Sequence, residues 1–291
     1  MAKIVLEHHF DPEDRARDEF PLLPFYVAPG TGGLHVSYEV SHALSADKAG
    51  WEEGNIVDIG IFDPRGAAFP GGRGFRGWSG TARRAFTVGP AEATPGYLPG
   101  AIQAGTWHVL LGLYQLAPEG CDVRIVIRLQ EGPEGLQEAS AVPLPCPFDP
   151  VPVAVGPRWF RGDLHCHSHH SDGTAPLSDL VAAALAQGLD FLAVTEHNTV
   201  SHLPRLRAMG WAQRPAPTSR APTGARPKGG RRGPLLLIPG VEVSTYHGHA
   251  NLWPVTDWFD FRCWQDEQMR AVREAARRQG VLFSVNHPKE D

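Results

Sequence analysis

The sequence predicts two fold classes in succession, an N-terminal all-β sandwich and then an α/β unit, and three observations carry that prediction. Residues 143–157 (PLPCPFDPVPVAVGP) hold six prolines in fifteen positions. Each proline lacks an N–H and pushes its predecessor toward extended geometry, so the stretch reads as a linker. Before it, apolar and polar residues alternate between Gly- and Pro-rich turns, the pattern of half-buried strands. After it, short apolar runs alternate with helical ones, which implies parallel βα units. At 291 residues the chain suits two domains better than one of modal size. The expected division is 1–142 for the sandwich, 143–157 for the linker and 158–291 for the α/β part.

Taken in order, LHVSYEV places Leu34, Val36, Tyr38 and Val40 on one face and His35, Ser37 and Glu39 on the other. NIVDIGIF (55–62), TWHVLLGLYQL (106–116) and DVRIVIRL (122–129) are further strands, the second apolar enough to sit inside a sandwich. AFPGGRGFRGWSG (68–80) and ATPGYLPG (93–100) read as turns between them, and the whole suits a sandwich or jelly roll. Trp51, Trp78 and Trp107 are expected to pack in core or turns, and His8, His9, His35, His42 and His108 form no ligand spacing.

Beyond the linker, FRGDLHCH (160–167) is a short strand candidate. LSDLVAAALAQ (177–187) is a helix stopped by Gly188. DFLAVTEH (190–197) and LLLIPGVEV (235–243) are strands, and HANLWPV (249–255) runs back as an extra one. WQDEQMRAVREAARRQ (264–279) is a second helix, with Met269, Val272 and Ala276 on one face and Gly280 after its end. VLFSVN (281–286) is a final strand. Residues 209–234 interrupt this order with six basic residues, five prolines and no acidic residue, and read as a disordered basic surface insertion.

Composition narrows the function. Lys plus Arg number 27 against 32 Asp plus Glu, a net charge of −5, which argues against a nucleic-acid or membrane-surface binder. The four cysteines (Cys121, Cys146, Cys166, Cys263) include no C-x-x-C pair, so neither a disulfide framework nor a thiolate zinc site is expected. The start, MAKIVLEHHFDPEDR, lacks the apolar core of a signal peptide. No run approaches the ~18 apolar residues of a spanning helix. A cytoplasmic protein is the expectation. No G-x-S-x-G elbow, Walker loop or dinucleotide glycine loop is present.

The chemistry lies at the ends of the strands after the linker. FRGDLHCH ends in His165 and His167, DFLAVTEH in Glu196 and His197, LLLIPGVEV delivers Glu242 with His249 following, and VLFSVN delivers His287. Loops at the carboxyl ends of parallel strands gather at one face, so these residues are expected to meet. On a strand, His165 and His167 face one way and Cys166 the other. Asp172, in a Ser-Asp-Gly turn, can fold back as an oxygen ligand. His169 and His170 read as a solvated loop, Cys166 as a packed side chain, Glu196 as an outer hydrogen-bond partner of a ligating imidazole, and His202 and His247 as exposed. Mixed imidazole and carboxylate donors suit manganese, iron or zinc.

These residues resemble a known family. DLHCHSHHSDG, GLDFLAVTEHNTV, PGVEVSTYHGHANL and NHP, in that order over about 160–288, look like the PHP (polymerase and histidinol phosphatase) metallohydrolases. The first half, FRGWSGTARRAFTV through TWHVLLGLYQL, is similar to the β domain of the carbamate-hydrolase-like (CehA/McbA) branch. The resemblance implies a distorted β/α barrel with two to three divalent cations (Mn, Zn or Fe). It implies that His165 and His167 hold the first, that Glu242 bridges to a second completed by His249 and His287, and that Asp172 and His197 hold a third. The family's T-D-H reads Thr195-Glu196-His197 here. Its closing D-x-H motif and about three strands are not found, so the barrel is expected to be incomplete, the C-terminal part of a longer hydrolase missing, and the open edge apolar. Glu242, His249 and His287 are then the expected catalytic set, their site being least compromised. The implied reaction is hydrolysis of a small phosphate ester by a hydroxide between two metals, a nucleotide staying open as substrate. An amide, ester or carbamate hydrolase is one alternative, and a non-catalytic metal-binding fragment is another.

Overall fold

The computed structural model describes residues 2–132, 159–209 and 235–287. The linker at 143–157 and the insertion from 210 onward lie outside them, while Met209 closes a helix. In chain order the elements are β1 (Ala2–Phe10), α1 (Pro12–Arg17), β2 (Leu22–Val27), β3 (Thr31–Val40), β4 (Ile56–Phe62), β5 (Phe75–Gly80), β6 (Ala85–Val88), β7 (Gly105–Gln115) and β8 (Cys121–Glu131). There follow β9 (Gly162–Asp163), α2 (Leu177–Ala186), β10 (Phe191–His197), α3 (Leu203–Met209), β11 (Leu236–Thr245), β12 (Gly248–Trp253), α4 (Asp266–Arg278) and β13 (Leu282–Val285).

The first nine elements form the expected sandwich, from two antiparallel sheets ordered β1-β8-β3-β6 and β2-β7-β4-β5. The inward faces supply Leu34, Val36, Tyr38, Ile125 and Ile127 from one sheet and Val57, Ile59, Ile61, Trp107, Val109, Leu111 and Leu113 from the other. The run TWHVLLGLYQL is apolar through its centre (109–113) because β7 is covered on both sides there. Its odd residues fill the sandwich core, and Leu110 faces a second buried cluster with Phe20, Phe62, Phe75 and Trp78. Val241, Val243, Ala250, Leu252, Phe259 and Phe261 of the C-terminal part fill the other side of that cluster. The two halves therefore share a core.

Polar ties reinforce this junction. Arg262 holds Asp260 through Nη2 (2.6 Å) and Nε (2.8 Å) and donates from Nη1 to the Ala67 carbonyl, while the Gly71 N–H donates to Asp260 Oδ2. A buried ion pair with its remaining groups bonded is the arrangement that offsets desolvation. The Tyr246 hydroxyl, at the β11–β12 turn, reaches back to Asp58 Oδ2 on β4 at 2.8 Å.

The C-terminal sheet is ordered β13-β12-β11-β10-β9, with β9, β10 and β11 parallel and β12 and β13 antiparallel. It is a curled mixed half-barrel with few helices. The two predicted helices form, and Gly188 (φ 73°) and Gly280 (φ 69°) follow their ends in the left-handed conformation that glycine adopts without penalty. HANLWPV runs back as β12. At the two edges of the sheet as described, Leu282 and Val285 on β13 are each 68% exposed, and Leu164, just after β9, is 46% exposed.

Three expectations need correction, and one helix was not foreseen. Residues 75–80, read as a turn, form β5: Gly77 (φ 133°) sits where a Cβ would meet the Gly96 carbonyl and Tyr97, so the glycines mark close approach within a strand. Helix α1 was masked by charge, yet Asp11 and Asp14 cap it reciprocally and Pro12 starts it. Trp78 and Trp107 are buried, but Trp51 is 89% exposed. The predicted strand at 160–167 is only Gly162–Asp163, because the Asp163 carboxylate accepts from the His165 N–H (2.9 Å) and turns the chain.

Candidate metal centre

Period-two alternation sets the site. Val241 and Val243 point into the shared core, so Glu242 and Ser244 point to the opposite face of β11. In register, His197 on β10 lies beside Glu242, and His249 on β12 beside Ser244. His165 and His167 arrive from the segment after β9, and His287 follows β13. Five of the other six residues expected as ligands meet the fully buried Glu242, and the sixth, Asp172, joins them through His167 and His197.

Its two oxygens divide the imidazoles. Oε2 lies 3.0 Å from His165 Nε2 and 3.2 Å from both His167 Nε2 and His197 Nδ1. Oε1 lies 3.2 Å from His249 Nδ1 and 3.3 Å from His287 Nε2, and accepts from Asn286 Nδ2 at 2.9 Å. The His165 and His167 Nε2 atoms face each other at 3.0 Å. Ligands held at ~2.1 Å with tetrahedral or octahedral angles stand about 3.0–3.4 Å apart. The triangle of His165 Nε2, His167 Nε2 and Glu242 Oε2, with sides of 3.0, 3.0 and 3.2 Å, fits three ligands of one cation. The second group whose ligand atoms lie within 4.8 Å of one another is His197, Glu242 and His249; His287, expected there, reaches Glu242 Oε1 but joins no such group among the described residues. Asp172 Oδ2 stands 3.5 Å from His197 Nε2, and its Oδ1 3.9 Å from His167 Nδ1, a wider third group. The donor set is imidazole and carboxylate throughout, as divalent cations of this class require.

The electrostatics follow from this crowding. Burial alone would raise the Glu242 carboxyl, but the surrounding imidazoles, His167 and His249 foremost, outweigh it and hold Glu242 well below the usual carboxylate range. His197 depresses Asp172 in the same direction. Burial works against a charged His167, and Glu242 and Asp172 outweigh it, so its pKa is raised. The ionised Glu242 carboxylate can only accept, so the His167 Nε2 that faces it donates, while Nδ1 faces Asp172 and Ser171. His197 Nδ1 lies 2.6 Å from Ser244 Oγ, which holds the ring so that Nε2 faces the Asp172 side. Asn198 (φ 54°) clasps the Ser244 backbone at both N–H (2.7 Å) and carbonyl (2.8 Å).

The turn 168–172 is locked from below by Glu196. Its carboxylate accepts from Ser168 N (3.0 Å), Ser168 Oγ (2.5 Å) and Ser171 Oγ (2.5 Å). Glu196 thus braces the loop that carries Asp172, and it bonds to serines where an imidazole was expected. Ser171, Ser244, Asn198 and Asn286 escaped sequence reasoning. The signal for Ser244 was its place two residues after Glu242 on one strand face, and for Asn286 its place beside His287. His170 and His202 were expected to be solvated and exposed; both are buried, at 4% and 0% exposure, with burial pushing each imidazole down to about 3. His247 keeps more than half its surface and pairs with Glu19 Oε1 at 3.1 Å. Cys166 packs against the α2 cluster, and burial raises its thiol to about 12.

Comparison with known families bears on this geometry directly. Residues 163–278 match the PHP domain. Six of the seven convergent residues lie inside that match, and His287 lies beyond it. A 5'-3' exoribonuclease of Haemophilus influenzae (strain ATCC 51907 / DSM 11121 / KW20 / Rd) is 35% identical over 83 residues, which cover 28% of this chain and 23% of that protein. The chain thus spans about a quarter of that curated relative's length. The PHP region carries His/Glu clusters able to hold metal ions.

Proposed function

We propose that this chain is a divalent-metal-dependent phosphoesterase. The observation that carries the reading is Glu242, a fully buried carboxylate whose two oxygens serve separate imidazole sets. One carboxylate shared in this way suits two adjacent cations. His165 and His167 would hold the first, His249 and His287 the second, and Asp172 with His197 a third. Bound manganese, zinc or iron would supply a hydroxide nucleophile at neutral pH and neutralise charge on a phosphoryl group.

The chain's own residues prepare that chemistry. Glu242 is kept ionised by its neighbours, and Ser244 and Asn286 fix the orientation of His197 and Glu242. The shared core with the sandwich keeps the β11–β12 hairpin rigid. The likeness to an exoribonuclease favours phosphodiesters, including nucleotide substrates, over carboxyl esters.

The test is turnover by the purified chain, loaded with Mn²⁺, of bis-p-nitrophenyl phosphate, p-nitrophenyl phosphate, p-nitrophenyl acetate and a short 5'-phosphorylated oligoribonucleotide. Phosphodiester turnover abolished by chelation and restored by Mn²⁺ is expected. Carboxyl ester turnover alone would turn the reading to the amide, ester or carbamate alternative. Bound metal with no turnover would leave a metal-binding module.

A further inference from the structure

Two sandwich loops reach across the junction and hold the turn that carries Asp172. From the loop after β5, Arg83 spans two carbonyls with one guanidinium: Nη2 donates to His169 O at 2.5 Å and Nη1 to Ser171 O at 3.3 Å. These carbonyls flank His170 and end immediately before Asp172. From the loop after β6, the Gly96 peptide is gripped on both sides. Its N–H donates to Ser201 Oγ (2.9 Å), and its carbonyl accepts from Thr199 Oγ1 (2.7 Å). Ser201 Oγ in turn lies 2.8 Å from His170 Nδ1. A Cβ on Gly96 would stand 2.9 Å from the Trp78 carbonyl and 3.1 Å from that of His170, so the two backbones approach as closely as a glycine permits.

We propose that Arg83 is a positioning residue for the cation place formed by Asp172 and His197. This rests on the metal reading above and adds to it a task for the sandwich. A planar fork with fixed N–H directions fixes two carbonyls at once, and so sets where the next residue's carboxylate points. Glu196 braces the same turn from inside the PHP region and Arg83 from outside it, so neither half of the chain alone defines the Asp172 geometry.

The sign of the effect separates this role from mere charge. A guanidinium near a cation site repels the cation, so if Arg83 acted only as a charge its removal would tighten metal binding. If it positions Asp172, removal weakens binding. The experiment titrates Mn²⁺ into the full chain and into Arg83→Met, Arg83→Lys and Arg128→Met. Free Mn²⁺ is read by electron paramagnetic resonance and heats by calorimetry, with melting curves run alongside. Arg128 is exposed on the outer sheet and controls for net charge.

Arg83→Met is expected to bind its weakest Mn²⁺ about tenfold more weakly, or to lose that equivalent, as for other groups that orient metal ligands. Arg128→Met should match the parent, and Arg83→Lys, whose single ammonium serves two carbonyls poorly, should fall between. Unchanged or tighter Mn²⁺ binding by folded Arg83→Met overturns the proposal. Should that variant not fold, Arg83→Lys decides, and parent-like affinity there overturns it equally. A parent chain that binds no Mn²⁺ fails before any variant is compared, and sinks the metal reading itself.

Discussion

The contact between Tyr246 and the sandwich can be tested by a double-mutant cycle at Gly112. An alanine Cβ at Gly112 would lie 2.0 Å from the Tyr246 hydroxyl, 2.7 Å from Trp78 Cη2 and 3.2 Å from Asp58 Cβ. The first is less than any non-bonded contact, and Tyr246 must move. Overpacking of this kind costs ~1–3 kcal/mol, and the displaced hydroxyl also loses its bond to the Asp58 carboxylate, about 1.5–3 kcal/mol for a charged acceptor. Gly112→Ala should therefore destabilise by on the order of 3–5 kcal/mol. Tyr246→Phe alone loses the bond without the clash, at about 1.5–3 kcal/mol. The two changes remove the same bond, and the second also removes the atom that the new methyl strikes. The double variant should therefore be more stable than the sum of the singles predicts, by at least ~1 kcal/mol. Urea unfolding at pH 8, where Asp58 is ionised, measures all four corners. Additivity within about 0.5 kcal/mol would refute the argument, since it would mean that Gly112 and Tyr246 do not meet.

Two further outcomes follow from the same structure. Burial pushes the Asp58 carboxyl up to about 6 from an ordinary 3.8, against the opposing pull of the Tyr246 hydroxyl and Arg84. The folded chain therefore keeps a proton that the unfolded chain releases, and Asp58's contribution falls as pH rises from about 4 to about 6, by roughly 3 kcal/mol, then levels off. Asp58→Asn should remove that slope from a stability–pH curve, and an unchanged difference between pH 4 and 6 would contradict it. At the metal cluster, Glu242→Gln should lose more bound metal than His249→Ala, because Glu242 faces both imidazole sets. Elemental analysis after dialysis reads this, and equal losses would count against a shared carboxylate.

Much of this molecule was visible in its residue order. The strand at 34–40 declared itself by alternation, and Glu242 by standing among valines whose partners on the other face are core. The histidines and carboxylates stood out because they recur where apolar runs stop. What was hidden depended on distant neighbours. A glycine-rich stretch at 75–80 looks like a turn unless one knows that Gly96 and Tyr97 press against it. His170 and His202 sit among serine, threonine and glycine and look solvated. His170 is dry because sandwich loops many residues earlier reach over its turn, as the Gly96–Ser201–His170 chain shows, and His202 because it sits against the β10 and β11 backbone at Val194 and Gly240.

The composition of β4 and β7 holds a further lesson about how the halves join. A sandwich strand with a solvent face alternates core residues with polar ones. In β4 and β7 the outer positions are instead Asp58, Gly60 and Phe62, and His108, Leu110 and Gly112. Glycine is a poor strand residue, so two of them on adjacent strands, Gly60 opposite Leu110 and Gly112 opposite Asp58, need a reason. Gly60 leaves room for Trp78, whose Cε3 would lie 2.8 Å from a Cβ there, and Gly112 for Tyr246. The carboxylate among them, costly in a dry interface, is met by the hydroxyl that enters. Apolar side chains, gaps and one acceptor on a sheet's outer face together describe a socket, and the tip of the hairpin that carries Glu242 and His249 fills it. The sandwich is thus built to hold that hairpin, so the position of the central carboxylate depends on residues far from it in the chain.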